Sequence, residues 1–226
     1  MIKTQIDFVP DLTKLPYITS AYKSNKLVIF VGAGLSTIWG CKRWRDMSVA
    51  LIEDCYSSNQ IDYWIRENLL MKHGLSPRKL ITIAKKILGD NYADKIKHTL
   101  IPTTNRKDKF PSLFKNLFAL NATFITTNID NHLSSLFDPS NIHTDVNKFD
   151  LEHIKPGNIF HLHGTVDNPN GWVLTIDEYV NRYRNKKIRN FLEHVFINGD
   201  YCILFVGYGV DEIEIIDYMI ENIAVR

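Results

Sequence analysis

The sequence predicts an α/β fold: a mostly parallel sheet with helices on both faces and a helical insertion. Three observations predict it. Short, near-continuous apolar runs rich in β-branched and aromatic residues recur along the chain, as strands buried on both faces require. Segments of helical period separate them. Each run stops at glycine or polar residues, and a parallel sheet gathers such stops on one rim. Right-handed crossovers between parallel strands then place the helices on both faces.

The first strand is Leu27-Val28-Ile29-Phe30-Val31, followed at once by Gly32-Ala33-Gly34. Three further runs have the same character: Ala122 to Thr127, Asn158 to Leu162 and Tyr201 to Val206. From Arg78 to Leu88, the residues Leu80, Ile83, Ala84, Ile87 and Leu88 share one helical face, as do Ile213, Ile216, Ile220 and Ile223 near the C-terminus. Trp44 to Pro102 shows helical patterns and no convincing strand. It separates the first two strands by far more than one crossover helix, so residues from about 45 to 102 read as a helical insertion within a single domain over 1–226. Arg106-Lys107-Asp108-Lys109 reads as an exposed turn.

Composition narrows the classes of function. With 226 residues, 45% hydrophobic and 23% charged, the chain can bury a sizeable core. Lys+Arg 27 against Asp+Glu 25 leaves a net charge of +2, too little for the basic surface that phosphate-backbone binding needs, so no direct nucleic-acid partner is expected. Cys41, Cys55 and Cys202 stand too far apart for a disulfide framework or a four-cysteine zinc site, and read as buried or idle thiols. No membrane-spanning run and no signal-peptide pattern occur, which points to a soluble, cytoplasmic protein.

Candidate chemistry sits where the strands end. Gly32-Ala33-Gly34-Leu35-Ser36 suits a sharp strand-to-helix turn in which the backbone approaches a ligand and free N–H groups attract phosphate. The dinucleotide fingerprint is incomplete, because Thr37 stands where its third glycine would be. A tight turn without a ligand accounts for the same glycines. The second strand runs into Thr127-Asn128-Ile129-Asp130-Asn131-His132. Asn128 can donate and accept, so it suits a ribose hydroxyl or a water, while Asp130 could accept from another hydroxyl or hold Asn128 in position. Either residue alone also reads as the N-cap of a helix.

The third strand ends in His161-Leu162-His163-Gly164. Strand alternation puts both imidazoles on one face, yet no third ligand follows at a metal-binding spacing, so no metal is expected. His163 is placed to act as a general base near neutral pH, with an unperturbed pKa of about 6.5. His161, deeper in the strand, reads as a packed core residue or a support. The fourth strand ends in Gly207-Tyr208-Gly209, again inviting close approach of a ligand, and Asp211 and Glu212 follow at a helix start where acidic side chains are stabilising anyway. Together on one rim these groups describe a nucleotide site: glycine turns for phosphates, Asn128 and Asp130 for the sugar, His163 for the proton or water.

In this order, Gly32-Ala33-Gly34-Leu35-Ser36, Thr127-Asn128-Ile129-Asp130, His163-Gly164 and the turn at Gly207 resemble the motifs of the sirtuin superfamily, over a span from about Leu27 to Asp211. The resemblance implies a Rossmann-like NAD site. Gly32, Ala33, Gly34 and Ser36 would lie near the phosphates, Asn128, Asp130 and His163 around the nicotinamide ribose, and Thr127, Gly207 and Tyr208 would complete the cofactor-binding set. Sirtuin deacylases carry a four-cysteine zinc ribbon between the histidine motif and the last glycine turn, where this chain has only Cys202. Their Pro-Asp-Phe-Arg-type loop is replaced by Gly40-Cys41-Lys42-Arg43-Trp44. That loop, and Val173 to Tyr179 after the His-Gly pair, look more like the sirtuin-like effectors of prokaryotic antiphage systems, which hydrolyse NAD.

The resemblance thus implies a hydrolase that depletes NAD on infection, with Asn128 and His163 as its catalytic residues. Nicotinamide is a cationic leaving group whose departure leaves an oxocarbenium-like ribose, so orientation and a nucleophile matter more than an acid, and water can be that nucleophile. Such an effector must be silent until triggered, so a homo-oligomer, a regulatory partner or a sensor domain is expected. Two rivals remain. One is a deacylase or ADP-ribosyltransferase in which a protein side chain replaces water; the other is a module that senses NAD or ADP-ribose without turnover.

Overall fold

Five strands, β1 (Leu27–Val31), β2 (Thr123–Thr126), β3 (Ile142–His143), β4 (Ile159–His161) and β5 (Cys202–Val206), form one sheet in the order β3-β4-β2-β1-β5, with every pair parallel. The computed structural model describes residues 14–71, 75–102 and 111–209. The four expected strands are present within a residue or two of their sequence limits. β3 was not expected. It is a two-residue edge strand, too short and too polar to show an alternating pattern. The helix expected around Ile213 to Ile223, the acidic pair Asp211 and Glu212, and the basic turn at 106–109 lie outside the described residues.

Alternation along the strands sends side chains into two different cores. Val28, Phe30, Ile125 and Phe160 pack on one face with Tyr183 of α8 (Ile176–Arg184) and with Ile188, Phe191 and Leu192 of α9 (Lys186–Glu193). Leu27, Ile29, Val31, Phe124 and Ile159 pack on the other. Their partners there are Ala21 of α1 (Pro16–Lys23), Leu35 of α2 (Ala33–Ile38) and Leu117 of α7 (Pro111–Phe118). All five side chains of β1 are buried, each worth about 1.5–3 kcal/mol relative to exposure. This is an α/β fold of Rossmann-like architecture, with helices on both faces of a parallel sheet.

Between α2 and α7 the chain forms α3 (Trp44–Ser57), α4 (Tyr63–Met71), α5 (Pro77–Leu88) and α6 (Tyr92–Thr99), with no strand among its described residues. α5 starts at Ser76, whose hydroxyl accepts from Lys79 N–H, with Pro77 in the first turn. Its buried stripe is Leu80, Ile81, Ala84 and Leu88, whereas Ile83 and Ile87 of the expected face are half-buried. The stripe is rotated because α5 also meets α8, where Ile176 N–H donates to Thr82 Oγ1 and Lys85 pairs with Glu178. The core of this helical segment includes Ile129, Trp172 and Leu174, which lie beyond β2 and β4, so the helices dock on the loops at the strands' carboxyl ends. No helix among the described residues is long and apolar enough to cross a membrane.

The strand order fixes where a ligand can sit. From β1 the chain goes to β2 and β4 on one side and returns to β5 on the other. The carboxyl end of β1 is therefore the switch point of the sheet, the place where open α/β sheets open a crevice.

Candidate active site at the carboxyl ends of the strands

At that switch point the two glycine turns approach each other. Gly34 N–H donates to Gly207 O at 2.7 Å, and Gly32 N–H to Val206 O at 3.0 Å. A Cβ on Gly34 would stand 2.7 Å from Gly207 O, and one on Gly207 would stand 2.4 Å from Leu35 N, with Gly207 already at φ +64°. Only glycine fits either position. The close approach expected of a ligand is, at these two residues, an approach of backbone to backbone. Tyr208 then turns its ring edge-on to Phe30, 5.1 Å between centroids.

The turn after β2 is tied to the turn after β1. Asn128 Nδ2 donates to Gly32 O at 3.0 Å and to Ser36 Oγ at 2.9 Å, and Ser36 donates its own hydroxyl proton to Asp130 Oδ2 at 2.6 Å. Asp130 Oδ1 accepts His132 N–H at 3.1 Å. The residues from 127 to 133 form turns rather than an α-helix, so Asp130 caps a turn and not a helix. Asn128 is therefore held by its nitrogen and by its main chain, where its N–H donates to Thr126 Oγ1. Its Oδ1 is buried and has no hydrogen-bond partner in the protein. The neighbouring Thr127 is buried, its N–H reaching Val31 O at 3.4 Å and its Oγ1 likewise without a partner.

The two histidines part company. β4 ends at His161, and the pleat does not continue to 163, so alternation no longer applies there. His161 Nδ1 donates to Asn128 O at 3.2 Å, a supporting contact behind the amide. His163 Nε2 instead bonds the Tyr183 hydroxyl at 2.8 Å, and its Nδ1 is buried with no partner. Leu162 N–H donates to Thr126 O, and Val166 N–H to Ile129 O at 2.6 Å, so the chain on either side of His163 runs along the chain on either side of Asn128. His163 stands next to the Asn128 loop, but it shares no hydrogen bond with Asn128, Ser36 or Asp130. The following Gly164, at φ +79°, passes under Gly171, whose carbonyl oxygen lies 2.4 Å from where a Cβ would be.

The electrostatics of His163 differ from the sequence expectation. The ring is 2% exposed; burial, with the positive charges of Arg78 and Arg182, drives its pKa well below 6.5. It is unprotonated at physiological pH, and a weaker base than an imidazole poised near 7. Burial also lowers His161, opposed by its bond to Asn128 O.

Residues 122–225 match the family model described as the SIR2-like domain. Over this stretch the chain is similar to the SIR2-like domain. A search of the curated proteins finds no match to this chain. That likeness points to an NAD-related function.

The matched stretch of the SIR2-like domain begins just before β2 and contains Thr127, Asn128, Asp130, His163, Gly207 and Tyr208. Gly32, Ala33, Gly34 and Ser36 precede it in sequence. The structure joins the two sets through the Asn128–Gly32, Ser36–Asp130 and Gly34–Gly207 bonds. Ala33 opens α2 between the two glycines.

Other side chains at this rim were not singled out from sequence. Tyr179, Arg182 and Tyr183 reach His163 from α8, and Arg78 comes from the start of α5, its guanidinium 4.1 Å from the Tyr179 ring centroid. The spacing of Tyr179, Arg182 and Tyr183 places them on one helical face, which is a readable signal. Nothing in the sequence pointed to Arg78, which lies far away in the chain. On the other side of Asp130, Cys41 Sγ lies 3.2 Å from His132 Nε2. Burial and the Asp130 charge raise this thiol to about 12, so it is no nucleophile. Among the described residues, no cluster of three His, Cys, Asp or Glu side chains is placed to hold a metal ion.

Proposed function

We propose that this domain hydrolyses NAD at the nicotinamide–ribose bond, giving nicotinamide and ADP-ribose, and that it serves as the NAD-depleting effector of a prokaryotic antiphage system. One observation carries the hydrolytic reading: the buried, unpartnered Oδ1 of Asn128, fixed at the switch point of a SIR2-like sheet. The group fits what is needed. NAD brings a cationic leaving group, and what the protein must add is orientation, a nucleophile and a dry site.

Asn128 supplies the orientation. With Nδ2 committed to Gly32 O and Ser36 Oγ, the amide cannot flip without losing both bonds, so Oδ1 stays available as an acceptor for a ribose hydroxyl or an attacking water. Asp130 and Ser36 act as positioning residues. The carboxylate accepts the Ser36 hydroxyl's hydrogen bond, which leaves the serine oxygen's lone pairs free to accept from Asn128. His163 contributes a neutral imidazole whose Nδ1 serves the proton released from water, directly or through a ribose hydroxyl. Such transfers typically contribute about 10²–10⁴-fold. The helical segment 44–99, docked through Ile129, Trp172 and Leu174, shields this rim from bulk solvent.

The test is direct. The full chain is incubated with NAD, free nicotinamide and ADP-ribose are quantified by chromatography, and Asn128→Ala and His163→Ala are compared with their folds checked by circular dichroism. Both variants are expected to lose about 10²-fold or more. Unchanged turnover in both, or binding without product in the wild type, overturns the reading.

A further inference from the structure

Asn128 is the residue on which the proposed chemistry turns, and its main chain is gripped from both ends. Its N–H donates to Thr126 Oγ1 at 3.0 Å, and its carbonyl oxygen lies 3.2 Å from His161 Nδ1. Thr126 and His161 are partners in the β2–β4 register, so their side chains rise side by side from one face of the sheet. Thr126 is fixed in turn, because its hydroxyl donates to Val31 O at 3.0 Å. His161 is fixed by packing, its residue only 1% exposed.

A carbonyl oxygen can only accept, so the proton of the neutral ring stands on Nδ1. Burial keeps that ring neutral, outweighing the Asn128 carbonyl and the Asp130 charge, which favour a second proton. The Gly164 main chain also acts on the ring, yet Nε2 is buried and closes no hydrogen bond. His161 therefore spends its one proton on the Asn128 carbonyl.

We propose, on the hydrolytic reading of Asn128 given above, that His161 in its Nδ1–H form is a positioning residue which, with Thr126, pins the Asn128 main chain and so aims Oδ1. The bonds from Nδ2 to Gly32 O and Ser36 Oγ hold the far end of the amide. They set its direction only while the main chain at 128 stays in place. A displacement of about 1 Å there would carry Oδ1 with it, and a misplacement of that size can cost about 10²-fold in rate. His161 does not touch substrate in this role, so its loss lowers kcat with KM little changed.

Two amide substitutions separate this role from packing. Asparagine places its Nδ2 close to the position of the imidazole Nδ1, whereas glutamine places its Nε2 near that of the ring Nε2, away from the Asn128 carbonyl. His161→Asn is expected to keep kcat on NAD within about 3-fold of wild type, and His161→Gln to lose about 10- to 100-fold with KM little changed. Two NMR readouts on the full chain without NAD do not depend on turnover. In the ¹⁵N-labelled wild type, His161, assigned by its loss in His161→Gln, is expected to carry its proton on Nδ1. The side-chain amide protons of Asn128, assigned by their loss in Asn128→Ala, are expected to exchange slowly in wild type and His161→Asn, and about 10-fold faster in His161→Gln. A wild type that cleaves no NAD overturns the hydrolytic reading, and the NMR readouts then decide the role of His161. Should either variant fail to fold by circular dichroism, the proton position in the wild type decides. A proton on Nε2, or equal kcat and equal exchange in folded asparagine and glutamine variants, overturns the proposal.

Discussion

The Ser36 hydroxyl on α2 donates a hydrogen bond to Asp130 beyond β2 at 2.6 Å, and this bond joins two turns separated in the chain by the whole helical segment. Ser36→Ala removes both the donor to Asp130 and an acceptor from Asn128. Stability is expected to fall by about 1–3 kcal/mol, since a buried carboxylate loses a partner. If the proposed hydrolysis holds, kcat falls about 10-fold with KM little changed, because the serine orients Asn128 without touching substrate. Steady-state kinetics on NAD and urea unfolding check the two parts. A rise in KM alone would assign Ser36 to binding.

Gly207→Ala tests the contact between the glycine turns. Its Cβ would overlap Leu35 N, and φ +64° is strained for alanine. The expected loss is about 1–3 kcal/mol or more, read from the urea midpoint at constant slope.

Acid should destabilise the protein through its buried imidazoles. The folded pKa values of His161 and His163 lie below the unfolded value of 6.5. The unfolded chain therefore binds more protons once pH falls through that value, and stability declines until the folded pKa is reached. The contribution is complete above about pH 6.5. Each histidine adds a slope of up to about 1.4 kcal/mol per pH unit. Unfolding free energies measured from about pH 7.5 to 5.5 should show this fall, and His163→Gln should flatten it. An unchanged slope in that variant would contradict the burial of an unprotonated ring.

Tyr183→Phe removes the hydroxyl that bonds His163 Nε2 at 2.8 Å. Both ring nitrogens of His163 would then lack protein partners, at a cost of about 1–3 kcal/mol. Thermal unfolding measures the loss, and ¹⁵N shifts of His163 should report altered tautomer populations. Identical spectra would mean that Tyr183 does not set the ring.

The sequence by itself determined the strands and the rim. Leu27–Val31, the run around Phe124 and the run around Phe160 are apolar on both faces, which only a covered parallel sheet satisfies, and their ends carry glycine, Asn128, Asp130 and His163. Local chemistry writes such patterns directly into the chain. Tertiary structure alone decided which groups touch. Gly34 needs glycine because Gly207 lies against it, Ser36 serves Asp130 and Asn128, and His163 is neutral because the fold buries it, with Arg78 and Arg182 adding positive charge from two separate helices. Contacts, burial and field depend on residues distant in the chain, so no local spacing could encode them.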